Sequence, residues 1–274
     1  MVTPSFLGVS LGNYCLGGVF ILHILIDGDM IIFKAAVNAE VPINWWGDFW
    51  TLHADAAEAK AEVDDMIVSL VDKVLDHYKY EGKYKLILCF TDPKDNFRKY
   101  ILPTYKANRK DTRKPMVFPE LKDWCFENYD CIQKPKLEAD DCIGILATKY
   151  KDSIIISGDK DFKTIPCRFY DFSRDEYFDT TEEQADYWFL YQTLVGDRAD
   201  NYTGCPGIGD VTARKLLDKE CSWKTVVEAF ERVGLSEEDA LVQARVARIL
   251  RNTDYKGNKV ILWNALKDEP NGTA

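Results

Sequence analysis

Glu138-Ala139-Asp140-Asp141 places three carboxylates at the head of an apolar, helix-favouring run, Cys142-Ile143-Gly144-Ile145-Leu146-Ala147. Glu138 and Asp141 lie three residues apart and share a helix face, with Asp140 beside them. A helix N-terminus favours a negative charge by only ~0.3–1 kcal/mol, and carboxylates this close repel one another. A cation between them removes that repulsion. A divalent ion such as Mg²⁺, which takes oxygen ligands and keeps several waters, is the simplest candidate. A solvated acidic helix start is the competing reading of this stretch taken alone.

Further acids stand where buried strands end. The hydrophobic run 21–27 closes on Asp27, followed by Gly28 and Asp29. Residues 85–92 close on Asp92, and 153–157 run into Asp159 and Asp161. Between them, apolar residues at helical spacing predict a long helix over 54–80, and further helices are read at 118–129, 181–195, 222–232 and 236–251. Short strands are expected at 130–133, 168–172, 177–179 and 260–263. Strands alternating with helices predict an α/β fold with a mostly parallel sheet covered on both faces. Ligands of such sheets bind beyond the carboxyl ends of the strands. Any one of these aspartates could serve a turn, but together with Glu138, Asp140 and Asp141 they point to one acidic rim.

The basic residues are concentrated in one place. Lys94, Arg98, Lys99, Lys106, Arg109, Lys110, Arg113 and Lys114 fall within 93–116 against only Asp95 and Asp111, with Tyr100 and Tyr105 interleaved. The chain as a whole carries a net charge of −10. That excludes a generic DNA-coating protein, so any nucleic-acid contact must come from a local patch. A phosphate-backbone grip fits this stretch better than a solvated charged loop.

Composition bounds the rest. With 274 residues, 46% of them hydrophobic and 13% aromatic, the chain is globular, as one large or two modest domains. Its eight cysteines form no C-x-x-C pair and it has three histidines, so zinc-site spacing is absent. Scattered thiols fit a reducing cytoplasm. Residues 5–26 are apolar but Gly-rich, with no Lys or Arg before them. They lack a secretory charged region and are too interrupted for a membrane span. Residues 1–20 read as an N-terminal extension.

The ordered series ILIDGD (24–29), FTD (90–92), PTYKANR (103–109), LEADD (137–141), SGDKDFKTI (157–165) and GDRADNYTGCPGIG (196–209) resembles the bacteriophage 5′-nuclease branch of the flap endonuclease family. Within that branch it resembles the T-odd phage replication exonucleases. The resemblance covers about 21–265. It implies a PIN-like three-layer catalytic domain over 21–195, with an arch at 93–116, and a helical subdomain over 196–274 carrying a helix-hairpin, or helix-three-turn-helix, DNA-binding motif.

By that resemblance Asp27, Asp92, Glu138, Asp140 and Asp141 hold or support one Mg²⁺ (or Mn²⁺), and Asp159, Asp161, Asp197 and Asp200 a second. Asp29 departs from the family pattern and is left outside the ligand set. Arg98, Tyr105, Lys106, Arg109 and Lys110 would grip the 5′ strand, with Lys106 and Arg109 also serving catalysis beside Asp27 and Asp92. Gly204, Gly207, Ile208, Gly209 and Lys215 would hold duplex at the hairpin, assisted by K⁺. Trp45, Trp46 and Trp50 could wedge against a duplex end or simply pack. The implied activity is 5′–3′ exonuclease and flap endonuclease hydrolysis of DNA, RNA–DNA hybrids included, by a monomer in a host cytoplasm. Three alternatives stay open: a PIN-type ribonuclease, a haloacid-dehalogenase-like phosphatase suggested by Asp27-Gly28-Asp29, and a non-catalytic DNA-binding protein.

Overall fold

The computed structural model describes residues 21–109 and 112–265. The expected extension at 1–20 and Lys110 lie outside the described residues. In chain order the elements are β1 (Leu22–Asp27), α1 (Gly28–Asn38), β2 (Glu40–Trp46), β3 (Phe49–Ala54), α2 (Ala56–His77), β4 (Tyr84–Phe90), α3 (Arg98–Ile101), α4 (Phe118–Asn128), β5 (Cys131–Gln133) and α5 (Ala139–Lys149). They continue with β6 (Ser153–Ser157), β7 (Arg168–Asp171), β8 (Glu176–Asp179), α6 (Glu182–Val195), α7 (Asp210–Lys219), α8 (Trp223–Glu231), α9 (Glu237–Ala247), β9 (Tyr255–Lys256) and β10 (Lys259–Val260).

The central sheet runs in the order β5-β4-β1-β6-β7-β8. Every pairing is parallel except β7 with β8. The middle strands are buried on both faces, which is why they read as unbroken Ile/Leu runs and not as alternating ones. On β1, Leu22, Ile24 and Ile26 enter the core shared with α1, α2 and α4, whereas Leu25 enters the core shared with α5. Each such side chain contributes ~1.5–3 kcal/mol of burial. The sheet with helices on both faces is the expected three-layer α/β domain. A third core joins α6, α7, α8 and α9 around Phe189, Leu194, Phe230 and Trp263.

Local sequence fixes the helix starts. Asp55 accepts from the amides of Ala57 and Glu58 to start α2. Thr181 with Gln184, and Ser236 with Asp239, form capping boxes on α6 and α9.

The structure departs from the sequence expectations in three places. The segment carrying Trp45, Trp46 and Trp50, for which no element was expected, is a two-stranded hairpin, β2–β3, and these side chains are exposed, so core packing is not their role. The helix expected over 236–251 ends at Ala247, because the Arg98 guanidinium takes the Val246 and Arg248 carbonyls and Asp141 takes the Leu250 amide. Of the strand expected at 260–263, only Val260 pairs, with Tyr255, while Trp263 turns into the third core. Among the described residues no helix is long and apolar enough to cross a membrane.

Candidate active site

The acids reach one cleft from separate elements. Asp27 ends β1 and also caps α1, its Oδ1 accepting from the Met30 amide at 3.2 Å. Asp29 lies in the first turn of α1, Asp92 just beyond β4, and Glu138 and Asp140 at the head of α5. Asp159 and Asp161 belong to the tight turn after β6, where Asp159 accepts from the Asp161 amide at 2.9 Å. Asp197 and Asp200 follow α6. All of them line a single open cleft of ≈ 1520 Å³ at the carboxyl ends of the strands, and no described histidine or cysteine does. That is larger than the ~300–1,000 Å³ of an ordinary small-molecule pocket.

The charges divide into two groups. Burial raises the carboxyl of Asp27, the neighbouring Asp29 and Asp159 add to this, and it is pushed up to about 7. Asp161 is likewise raised to about 7 by burial and by Asp159. Burial with Asp27 and Asp159 lifts Asp140 well above its ordinary value, and burial with Asp200 and Asp197 lifts Asp159. Glu138 goes the other way: burial would raise it, but the cations of Lys106 and Arg98 outweigh that and hold it at about 2.

Lys106 forms an ion pair with Glu138 and lies 3.5 Å from Asp200, and Arg109 Nη2 donates to Asp200 Oδ1 at 2.5 Å. The Lys106 amide also donates to the Asp200 carbonyl, which holds its backbone at φ 53°. A non-glycine residue in that left-handed region costs ~1–3 kcal/mol and persists only where its surroundings enforce it.

Asp141, Arg98 and Tyr105 are not free for the roles expected of them, although Arg98 and Tyr105 reach the cleft wall. Asp141 does not line the cleft. It is fully buried, and both its oxygens accept from Arg98, at 2.7 and 2.8 Å. Arg98 is buried beneath the acids, with no free face for a phosphate. The buried Phe97 beside it and the acids of α5 draw it inward, which charge counting along 93–116 could not show. Tyr105 is 3% exposed, and its hydroxyl lies 2.8 Å from Glu138 Oε2 and 3.0 Å from Asp200 Oδ2, so it does not stand ready to stack on a base.

In the GCPGIG turn, Gly204 is buried against Gly196, where an added Cβ would sit 2.4 Å from the Gly196 nitrogen. Gly207 (φ 79°) and Gly209 face open space ahead of α7, with Ile208 half-buried between them and Lys215 exposed on α7. The open glycines, and not Gly204, could let a phosphate approach.

Sequence reasoning set Asp29 aside and passed over Ser157 and Lys122. Asp29 is in the cleft, its Oδ2 accepting from the Thr91 amide at 2.8 Å. Its place two residues after Asp27 was the available signal. Ser157 donates to Asp27 Oδ2 and accepts from the Asp159 amide, joining two acids. Lys122 donates to the Thr91 carbonyl from α4, and nothing in its local sequence marked it.

This α/β sheet with helices on both faces shares its fold with solved phage T5 exonucleases. The T5 5′-exonuclease solved with bound divalent zinc ions superposes with TM-score 0.59 at 18% identity, covering 85% of this chain and 90% of that one. A T5 flap endonuclease in a pseudo-enzyme–product complex with DNA and metal ions gives TM-score 0.59 at 16% identity over the same shares.

The chain belongs to the 5′–3′ exonuclease family. The pattern of its N-terminal resolvase-like domain matches residues 23–183. The chain is 32% identical to the exonuclease of Escherichia phage T7 across 88% of its own length and 92% of that protein. It is 31% identical to the exodeoxyribonuclease of Enterobacteria phage T3 over the same shares.

Proposed function

We propose that this nuclease hydrolyses phosphodiester bonds from the 5′ end of DNA with Mg²⁺ held by the cleft acids. The observation that carries this reading is the convergence of Asp27, Asp140, Asp159 and Asp161 in one cleft with their carboxyls raised. Among the described residues no three acidic, histidine or cysteine groups close on a single point at coordination distance. The donor chemistry nonetheless fits hard divalent cations: it is all carboxylate oxygen, crowded enough to resist ionisation. Two ions in such a cluster supply a hydroxide nucleophile and stabilise the leaving oxygen.

The residues present do the rest. Asp27, Asp92, Glu138 and Asp140 support one position, and Asp159, Asp161, Asp197 and Asp200 the other, with Ser157 bracing Asp27. Lys106 and Arg109 face the same acids from the arch and bring cationic donors to the scissile phosphate. The open Gly207–Gly209 turn holds duplex, with K⁺ as a fitting companion. The T5 complex with DNA supports a DNA substrate with a 5′ end, nick or flap. RNA–DNA hybrids, a monomeric state and a host cytoplasm complete the reading, as does a division into a catalytic domain over 21–195 and a helical subdomain over 196–274. The test is release of nucleotides from 5′-labelled duplex with Mg²⁺ and with EDTA. Release in EDTA, or none in Mg²⁺, would overturn it.

A further inference from the structure

Arg98 is the most deeply engaged cation in the described chain. Its Nε donates to the Val246 carbonyl at 2.8 Å, and Nη2 to the Arg248 carbonyl at 2.7 Å and to Asp141 Oδ1 at 2.8 Å. Nη1 donates to Asp141 Oδ2 at 2.7 Å and to Glu138 Oε2 at 3.1 Å. All the N–H groups a guanidinium possesses are therefore used, and the side chain is 3% exposed. One set of partners is the head of α5, which carries Glu138 and Asp140. The other is the end of α9.

One turn earlier on the same helix, Gln243 Oε1 accepts from the Gly204 amide at 2.9 Å. Gly204 opens the turn that leads to Gly207 and Gly209 and is wedged against the Gly196 backbone. Gln243 and Val246 are three residues apart, on one helix face. The glycine turn, Gln243, the last turn of α9, Arg98 and the head of α5 thus form one run of direct hydrogen bonds. A helix is a stiff spacer of ~1.5 Å per residue, so the run fixes a length.

We propose that Arg98 is a positioning residue that, through α9, sets the distance from the glycine turn to the acid cluster, and so selects which phosphodiester is cut. This rests on the nuclease reading above. Arg98 touches neither substrate nor metal in this role. It holds Glu138 from behind and holds the end of α9 against it. A lysine keeps the charge but offers one compact ammonium in place of a five-donor fork. The register between duplex anchor and scissile bond then loosens. Displacement by about 1 Å can lower a rate ~100-fold.

The experiment compares the parent chain, Arg98→Lys and Gln243→Ala on a 5′-overhang duplex carrying a 3′ label, with Mg²⁺ at saturating DNA. Circular dichroism and a thermal melt confirm folding. For Arg98→Lys we expect kcat to fall ~10- to 100-fold with KM within about threefold, and the cut positions to spread to neighbouring bonds. For Gln243→Ala, which leaves Arg98 and the acids untouched, we expect the same spreading with a smaller loss of rate. A merely structural role would lower the melting temperature and leave the cut position alone. If Arg98→Lys does not fold, Gln243→Ala decides. A parent that cuts, with folded variants that share its ladder, overturns this proposal alone. A parent that does not cut with Mg²⁺ overturns the nuclease reading and this proposal with it.

Discussion

Asp140 and Asp141 are adjacent on α5 and meet opposite fates. Asp141 points behind the cleft into a buried pair with Arg98, where its charge is matched and its hydrogen bonds are filled. Asp140 points forward among Asp27, Asp159 and Glu138, and its carboxyl is raised well above its ordinary value. The floor of the site is a neutralised, fully bonded network that sets geometry. The rim holds more carboxylates than Lys106 and Arg109 can match. Stability is given up at the rim and recovered at the floor, and the rim is where a metal ion would bind.

Breaking the rim should cost activity and not stability. Asp140→Asn should lower kcat about ten-thousand-fold, equivalent to ~5.5 kcal/mol, while DNA binding persists and the metal-free melting temperature does not fall. Near-parent hydrolysis by this variant would remove Asp140 from the machinery.

Breaking the floor should do the reverse. Asp141→Asn leaves the Arg98 charge buried and underpaired, a change that costs ~3–5 kcal/mol in comparable buried pairs. A urea melt reads this directly. A loss below ~1 kcal/mol would mean that the pair contributes little beyond packing.

The rim should also respond to metal and pH with a definite sign. Asp27 and Asp161 rise from an ordinary 3.8 to about 7 in the fold. Between those values the folded state binds more protons than the unfolded chain. The metal-free protein therefore loses stability as pH climbs through that window. Mg²⁺ offsets the repulsion only once the acids are ionised. Its stabilisation, ~2.7 kcal/mol at a hundredfold excess over Kd, should be larger at pH 8 than at pH 5.5. A larger melting shift at the lower pH would contradict the assignment of these acids as ligands.

The smallest effect belongs to the cations that bridge the two regions. Replacing Lys106 and Arg109 with Ala removes two phosphate contacts, so the slope of log binding against log salt should become shallower by roughly 1.4–1.8. Turnover at saturating DNA should fall as well, since both side chains face the acids. An unchanged slope would confine them to pairing with Glu138 and Asp200.

The sequence by itself determined the layered α/β core, because strands buried on both faces must be unbroken apolar runs and their ends must carry the polar groups. Asp27, Asp159 and Asp161 were legible for that reason, as were the starts of the helices read from 54, 181 and 236, which lie within two residues of the observed Ala56, Glu182 and Glu237. Orientation within a crowded stretch was decided only by the tertiary structure. Spacing put Asp140 and Asp141 in one cluster, but a helix turns 100° per residue, and only the arrival of Arg98 and α9 behind α5 separates them. The basic run at 93–116 read as one surface for the same reason. Which of its cations lie under the acids and which face solvent depends on contacts roughly a hundred residues or more away in the chain, with Asp200, Val246 and Arg248. Such long-range pairings leave no local trace.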